Sequence, residues 1–145
     1  MDFDHSMRIS ASALSANRLY MNVLSSNLAN SNTTRTANGK PYERRVVLYE
    51  SVPSADTFDE SLDLFMQEDI QKVRVVDVVP DGRDFKEIYD PSHPDANEDG
   101  IVLMPNISPI EEMANLVDAT RSYEANLSAL ATAKQLSLKA LEIGK

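Results

Sequence analysis

The positions of glycine and proline constrain the fold of this chain more than any other feature of its sequence. None of the four glycines and seven prolines lies within residues 1–38 or 110–143. Both residue types interrupt helices, because glycine costs backbone entropy and proline lacks an amide donor. The distribution therefore predicts a long helix at each end of the chain, with shorter elements between them.

Composition excludes several classes of protein. The chain has 145 residues, of which 42% are hydrophobic and 26% charged, as in an ordinary globular domain. It contains no cysteine, which excludes disulfides, zinc–thiolate sites and thiol catalysis. No apolar run is long enough for a transmembrane helix, and the acidic start Met-Asp-Phe-Asp leads us to expect no cleavable secretory signal.

The charge of the chain is concentrated in its centre. Residues 42–105 carry sixteen acidic and six basic side chains, a net charge of −10, whereas the whole chain has a net charge of −9. An acidic centre argues against nucleic-acid binding, which needs a basic surface. The nearly neutral ends are suited to packing against other helices.

The last segment has the clearest helix signals. Ser108 is predicted to be the N-cap residue, Pro109 the first helical residue and Glu111 a reciprocal cap. The helix is expected to continue to Ile143 and to end at Gly144. Apolar positions recur at steps of three and four, which predicts a coiled-coil-like seam with polar interruptions: Met113, Leu116, Thr120, Tyr123, Leu127, Leu130, Lys134, Ser137 and Leu141.

The first segment, roughly residues 5–30, is predicted to be a helix with two apolar faces. One face carries Phe3, Met7, Leu14, Met21, Leu24 and Leu28, and the nearly opposite face carries Ile9, Ala13, Ala16, Tyr20 and Val23. An antiparallel hairpin of the two terminal helices would bury one stripe of each. The remaining stripes imply packing between molecules, which we favour, or free ends that order on assembly. Which stripe lies inside stays open.

Short apolar or β-branched runs in the centre predict the strands of a small antiparallel module: residues 46–49, 73–79, 85–89 and 101–104. Residues 58–70 have the apolar spacing of one short helix. The predicted fold class is α+β, with the terminal helices paired as an antiparallel coiled-coil-like hairpin around this module. The expected units are an N-terminal helix with its junction loop, a β-rich centre and a C-terminal helix, at residues 1–38, 39–107 and 108–145.

Two features of the centre are candidates for chemistry. Residues 95–100, Asp-Ala-Asn-Glu-Asp-Gly, match the first half of a calcium loop, but the twelfth position is Asn106 rather than a bidentate glutamate. His93 lies between Asp90 and Asp95, but His5 is the only other histidine and a rigid proline-framed loop fits the segment better. We therefore expect no active site, no metal site and no cofactor.

Three parts of the chain together resemble the flagellar basal-body rod proteins. They are Ser-Asn-Leu-Ala-Asn at 26–30 with Asn-Thr-Thr-Arg-Thr at 32–36, Tyr-Asp-Pro-Ser-His-Pro-Asp-Ala at 89–96, and Ala-Thr-Arg-Ser-Tyr-Glu-Ala-Asn at 119–126. The first run is shared by rod and hook proteins. The second narrows the resemblance to a proximal-rod subunit.

The resemblance implies a structural subunit, not an enzyme, that stacks helically into the proximal rod between membrane ring and hook and transmits torque. Its terminal helices would line the tube, and its β-rich centre would lie outside. The implied partners are other copies of itself, other rod proteins, membrane-ring or rod-base adaptor proteins and the type III export apparatus, without nucleic acid. The subunit would reach the periplasm without a cleaved signal peptide.

The residues expected at subunit interfaces lie on the helix stripes and at the junction that follows the first helix. They are Met7, Leu14, Met21, Asn27, Leu28, Asn30, Leu116, Tyr123, Leu127 and Leu130. Asn27 and Asn30 are expected to hold the junction through their side-chain amides. The alternatives are a coiled-coil adaptor or secretion-apparatus filament protein, which would not need a β module, and a calcium-binding module.

Overall fold

The structure is a computed structural model that describes residues 3–53 and 71–143. Its elements are α1 (Phe3–Ala29), β1 (Arg45–Pro53), β2 (Gln71–Pro80), β3 (Lys86–Tyr89), β4 (Ile101–Met104) and α2 (Pro109–Ile143). The α+β class and all four predicted strands are confirmed, while the predicted helix at 58–70 lies outside the described residues. No helix in the described part of the chain has the length and hydropathy needed to cross a membrane.

The end of α1 and the start of α2 agree with local sequence signals, while the predicted end of α2 at Gly144 lies outside the described residues. α1 has 27 residues and α2 has 35, which correspond to about 40 Å and 52 Å. α2 begins at Pro109, where the missing amide donor costs no helical hydrogen bond. Beyond α1, Asn30 Nδ2 donates to the Ser26 carbonyl at 2.9 Å, and Asn30 Oδ1 accepts from the Thr33 hydroxyl at 3.2 Å. These local hydrogen bonds compete with a continued helix.

The terminal helices pack against each other and run antiparallel. Asn27 contacts Glu112, and the Met21 sulfur lies 3.8 Å from the Thr120 hydroxyl. Residues nearer the start of α1 therefore contact residues farther along α2, as antiparallel packing requires. Leu24, with 1% of its surface exposed, is the largest apolar side chain fully buried in the described residues.

The inward face of α2 differs from the predicted seam at every second position. Its less exposed residues recur at steps of four and three: Glu112, Leu116, Ala119, Tyr123, Asn126, Leu130, Ala133 and Ser137. Of the predicted seam, Leu116, Tyr123, Leu130 and Ser137 lie on this inward face, whereas Met113, Thr120, Leu127, Lys134 and Leu141 are exposed. The physical reason is that small alanines allow close approach and that Glu112 meets hydrogen-bond partners inside.

The strands form two antiparallel pairs, β1 with β2 and β3 with β4. The longer pair, which we call the β ribbon, contains a bulge at Leu48/Tyr49. It lies against α1, where the ring of Tyr20 meets that of Tyr49 edge-on at 6.3 Å and the Val73 amide donates to the Ser12 hydroxyl at 3.4 Å. The second face of α1 is thus covered partly within the molecule, which corrects the expectation that each helix buries only one stripe internally.

Truncating Leu24 tests the packing of this core. Leu24→Ala should lower the free energy of unfolding by about 3 kcal/mol, because a buried leucine leaves a cavity when it is truncated. The control is Leu19→Ala on the same helix, where 37% of the residue is exposed, and it should cost less than about 1 kcal/mol. Urea denaturation followed by circular dichroism measures both. Equal effects would contradict this account of the core.

Candidate functional site

Five polar side chains meet where α1 ends and α2 begins, and we call them the polar junction: Asn27, Arg44, Asp81, Asn106 and Glu112. They come from the last turn of α1, the residue before β1, the loop after β2, the segment before α2 and the first turn of α2. Asn27 and Glu112 are almost completely buried. The junction therefore connects both helices with the β part of the molecule.

Glu112 is the centre of the junction. Its Oε1 accepts a hydrogen bond from Arg44 Nε at 2.7 Å, and its Oε2 accepts one from Asn27 Nδ2 at 3.0 Å. Burying a carboxylate is costly unless it is paired and hydrogen-bonded, and here both oxygens have partners. Its position in the first turn of α2 adds a favourable interaction with the helix dipole.

Asn27 joins α1 to both α2 and β1. Besides the bond to Glu112, its Nδ2 donates to the Arg45 carbonyl at 2.9 Å, and its Oδ1 accepts from the Arg45 amide at 2.9 Å. The Tyr42 hydroxyl donates to the same Oδ1 at 3.3 Å. One amide side chain therefore serves both the donor and the acceptor of the first residue of β1.

Arg44 connects the junction with the loop after β2. Its Nη1 lies 3.1 Å from Asp81 Oδ2, and its backbone carbonyl accepts from the Asp81 amide at 2.6 Å. Burial alone would lower the pKa of Arg44, but hydrogen bonds and charges from Glu112 and Asp81 raise that pKa above its usual value. The pKa of Asp81 is lowered, chiefly by its hydrogen bond from Arg83 and also by that from Arg44, against the opposing effect of burial.

Asn106 completes the junction from the segment that precedes α2. Its Oδ1 accepts from the Arg44 amide at 3.0 Å, and its Nδ2 donates to the Arg83 carbonyl at 2.9 Å. Both the oxygen and the nitrogen of its side-chain amide therefore have partners, and the residue is 6% exposed. In the calcium interpretation, Asn106 occupied the final ligand position, whereas here it binds backbone groups of this chain.

The rest of the calcium-like sequence organises a loop. Asp95 Oδ2 accepts from the Thr34 hydroxyl at 2.7 Å, and Asn97 Oδ1 accepts from the Ile101 amide at 2.8 Å. His93 Nδ1 accepts from the Asp95 amide at 3.1 Å. Within residues 3–53 and 71–143, no three acidic or histidine side chains are grouped so as to hold a metal ion.

Gly100 shapes the turn at the end of this loop. Its φ of +76° lies in the left-handed region that favours glycine. A Cβ at this position would come within 3.0 Å of the Tyr89 ring and 3.1 Å of Pro91 Cβ. The calcium-like motif needs its glycine for this close approach to β3.

The residues predicted at subunit interfaces fall into three groups in the structure. Asn27 is buried in the polar junction, and Asn30 binds Ser26 and Thr33 at the end of α1. Leu127 is 49% exposed. The other predicted interface residues are half-buried: Met7, Leu14, Met21, Leu28, Leu116, Tyr123 and Leu130.

Four residues of the junction were missed from the sequence: Arg44, Asp81, Asn106 and Glu112. Glu112 lies next to the predicted seam position Met113, so the pattern gave no sign that this carboxylate is buried and needs a partner. The identity of that partner has no local signal, since Arg44 lies 68 residues away.

A second apolar surface runs along α2 on the side that no other described element covers. We call it the outer stripe, and it consists of Ile110, Met113, Val117, Leu127, Leu138 and Leu141. These residues follow the three-and-four repeat of the inward face, displaced by about 100° around the helix, and the intervening positions of that repeat carry Thr120, Glu124, Ala131 and Lys134. All of them are exposed, from 47% for Met113 to 78% for Ile110.

Asp81 predicts how acid affects the junction. Its pKa is lower in the folded chain, so its ion pairs stabilise the fold above the unfolded pKa of about 4 and lose this effect as the pH falls through the folded pKa. Asp81→Asn should lower stability near neutral pH by roughly 1–2 kcal/mol and flatten the loss below about pH 4. Thermal unfolding between pH 2 and 7 measures this. An unchanged pH profile, matching that of the exposed control Asp84→Asn, would contradict it.

Two family models match the sequence that forms these helices and part of the polar junction. A model described as "Flagella basal body rod protein" matches residues 7–35, and one described as "Flagellar basal body rod FlgEFG protein C-terminal" matches residues 98–143. These matches cover most of α1 and all of α2. The junction residues Asn27, Asn106 and Glu112 lie within them.

Full-length relatives agree with the family models. The flagellar basal-body rod protein FlgC of Bacillus subtilis is 45% identical over 97% of each chain. FlgC of Aquifex aeolicus is 37% identical over 100% of this chain and 99% of its own, and FlgC of Escherichia coli O157:H7 is 35% identical over 94% of each. Identity at this level along nearly the whole length shows that the chain belongs to the FlgC family of flagellar basal-body rod proteins.

Proposed function

We propose that this rod protein polymerises through its terminal helices into the proximal part of the rod, the torque-transmitting shaft between membrane ring and hook. The observation that carries the proposal is the outer stripe of α2. A subunit that served as a free monomer would have no use for six exposed apolar side chains along one helix.

The spacing of the outer stripe fits helix-to-helix packing. From Ile110 to Leu141 the stripe extends over about 46 Å of α2 at 1.5 Å per residue. Its residues lie along one seam of three-and-four steps, as knobs-into-holes packing requires, and polar residues interrupt this seam at Thr120, Glu124 and Lys134. We propose that α1 and α2 pair within the subunit as an antiparallel coiled-coil-like hairpin, and that the outer stripe packs against helices of neighbouring subunits.

The predicted interface residues differ in how directly they would contact neighbouring subunits. Leu127 belongs to the outer stripe and contacts neighbours directly. The half-buried residues contribute to neighbours only through their exposed edges: Met7, Leu14, Met21, Leu28, Leu116, Tyr123 and Leu130. Asn27 and Asn30 act indirectly, because they hold the junction and the end of α1 in place.

The polar junction gives the subunit a route for transmitting torque. It bonds α1 and α2 to the start of β1 and to the loop after β2, so force on the helices also acts on the centre. Repeated contacts between many copies make individually weak interfaces long-lived. We propose that residues 1–38 and 108–145 form the assembling part and that residues 39–107 face outward.

The proposed setting follows from family membership. The partners are other copies, other rod proteins, ring or rod-base adaptor proteins and the type III export apparatus, with no nucleic acid. The proposed location is the periplasmic rod, reached without cleavage of a signal peptide. The proposed role is structural and not enzymatic.

Leu127→Asp tests the assembly proposal. A carboxylate in the centre of the outer stripe should prevent helix packing between subunits and abolish swimming, because a buried unpaired charge is strongly unfavourable. Export of the variant, measured by immunoblot of secreted fractions, should stay near the normal level. Basal bodies isolated from the mutant should lack a rod.

Ser128→Asp is the matched control, because Ser128 is exposed on the adjacent position and outside the outer stripe. It adds the same charge to the same turn of α2 and should leave swimming unchanged. Normal swimming by the Leu127→Asp strain would refute the proposal. A loss of swimming in both strains would indicate a general effect of charge on α2 instead of a role for the outer stripe.

A further inference from the structure

We propose that the polar junction sets the register in which α1 and α2 pair. The buried hydrogen bonds of Asn27, Arg44 and Glu112 would then select one alignment among several that the apolar stripes permit. This inference concerns the single folded chain and does not depend on the assembly proposed above.

The heptad-spaced apolar residues of α1 discriminate weakly between registers. Met7, Leu14, Met21 and Leu28 recur every seven residues, and the Met21 sulfur contacts Thr120. Sliding α1 by seven residues would replace most of these side chains by another methionine or leucine, although Leu24 would give way to Asn17 or Ser31. A hydrophobic seam with such a repeat allows alternative alignments, and a buried polar residue is a known means of selecting one of them.

The inward face of α2 adds little discrimination of its own. Leu116, Tyr123 and Leu130 repeat at the same interval of seven residues, and Ala119 and Ala133 are small enough to accept many neighbours. Asn126 has a polar side chain at an inward position, but its Nδ2 donates to the Ser122 carbonyl of its own helix at 2.9 Å. It therefore needs no particular partner on α1.

The polar junction, in contrast, tolerates one register. In the observed alignment Asn27 Nδ2 reaches Glu112 Oε2 at 3.0 Å. A slip of seven residues in one direction would place Asn27 beside Ala119, and a slip in the other direction would place Glu112 beside Tyr20. Either slip removes the Asn27 bond from a carboxylate whose side chain is fully buried, which is strongly unfavourable.

Arg44 makes this selection stricter. Residues 30–43 separate it from α1, but it directly precedes Arg45, whose backbone is bound by Asn27, and its Nε donates to Glu112 Oε1 at 2.7 Å. Its amide is also held by Asn106, which directly precedes the segment leading into α2. A slipped α1 would either break the bonds between Asn27 and Arg45 or pull Arg44 away from Glu112 and Asn106, so these contacts oppose the slip.

The absence of cysteine from the chain makes the register directly measurable. Ser25→Cys on α1 and Ser128→Cys on α2 place two spin labels at exposed positions of the full-length protein. A slip of seven residues changes their separation along the helix axis by about 10 Å. Electron–electron double resonance should give a single distance population in the otherwise unaltered chain.

The test variant replaces the three polar side chains by apolar ones of similar size, as Asn27→Leu, Arg44→Met and Glu112→Leu. We expect the helices to remain, by circular dichroism, and a second distance population displaced by about 10 Å to appear. The matched control is Asn126→Leu, which removes an inward polar residue outside the junction and should keep the single population. A single unchanged distance in the triple variant would overturn the proposal.

Glu112→Gln provides the deciding measurement if the triple variant fails to fold. It keeps the shape of Glu112 and one acceptor for Arg44, but turns an NH2 group toward the NH2 group of Asn27. A second distance population supports the proposal, and a single population refutes it. A broad distribution in the unaltered chain would also refute it, since the junction would then not fix the register.

Discussion

The buried carboxylate of Glu112 is the interaction on which the rest of the structure depends. A charge inside a protein is tolerated only when its surroundings replace the water it has lost. Here the replacement comes from Arg44 and Asn27, which belong to different parts of the chain. The carboxylate can be satisfied only when the end of α1, the start of β1 and the start of α2 are all in place.

The attraction between the two helices and their alignment therefore come from different groups of residues. Apolar stripes supply most of the attraction, because they bury surface along the whole length of α1. The polar junction fixes how the helices are aligned where α1 ends and α2 begins, through a small number of hydrogen bonds. The outer stripe of α2 takes part in neither and stays exposed, and the proposed assembly rests on this exposed apolar surface.

Local features of this fold could be predicted from the sequence, while relations between distant parts could not. Pro109 fixed the start of α2, and β-branched runs located all four strands. The orientation of α2 could not be predicted, since Met113 and Leu127 are as apolar as Leu116 but are exposed. Orientation depends on what the neighbouring helix offers, and Arg44 and Glu112 carry no local sign that they would meet.

The β ribbon has a consequence for how the subunit acquires its structure. Two strands alone are rarely stable in water, because half of their backbone groups have no partner strand. Among the described elements, α1 is the one whose side chains lie across the face of this ribbon, through Tyr20 on Tyr49 and Ser12 on Val73. The stability of the β ribbon therefore depends on α1, and any condition that unfolds α1 is expected to unfold the ribbon as well.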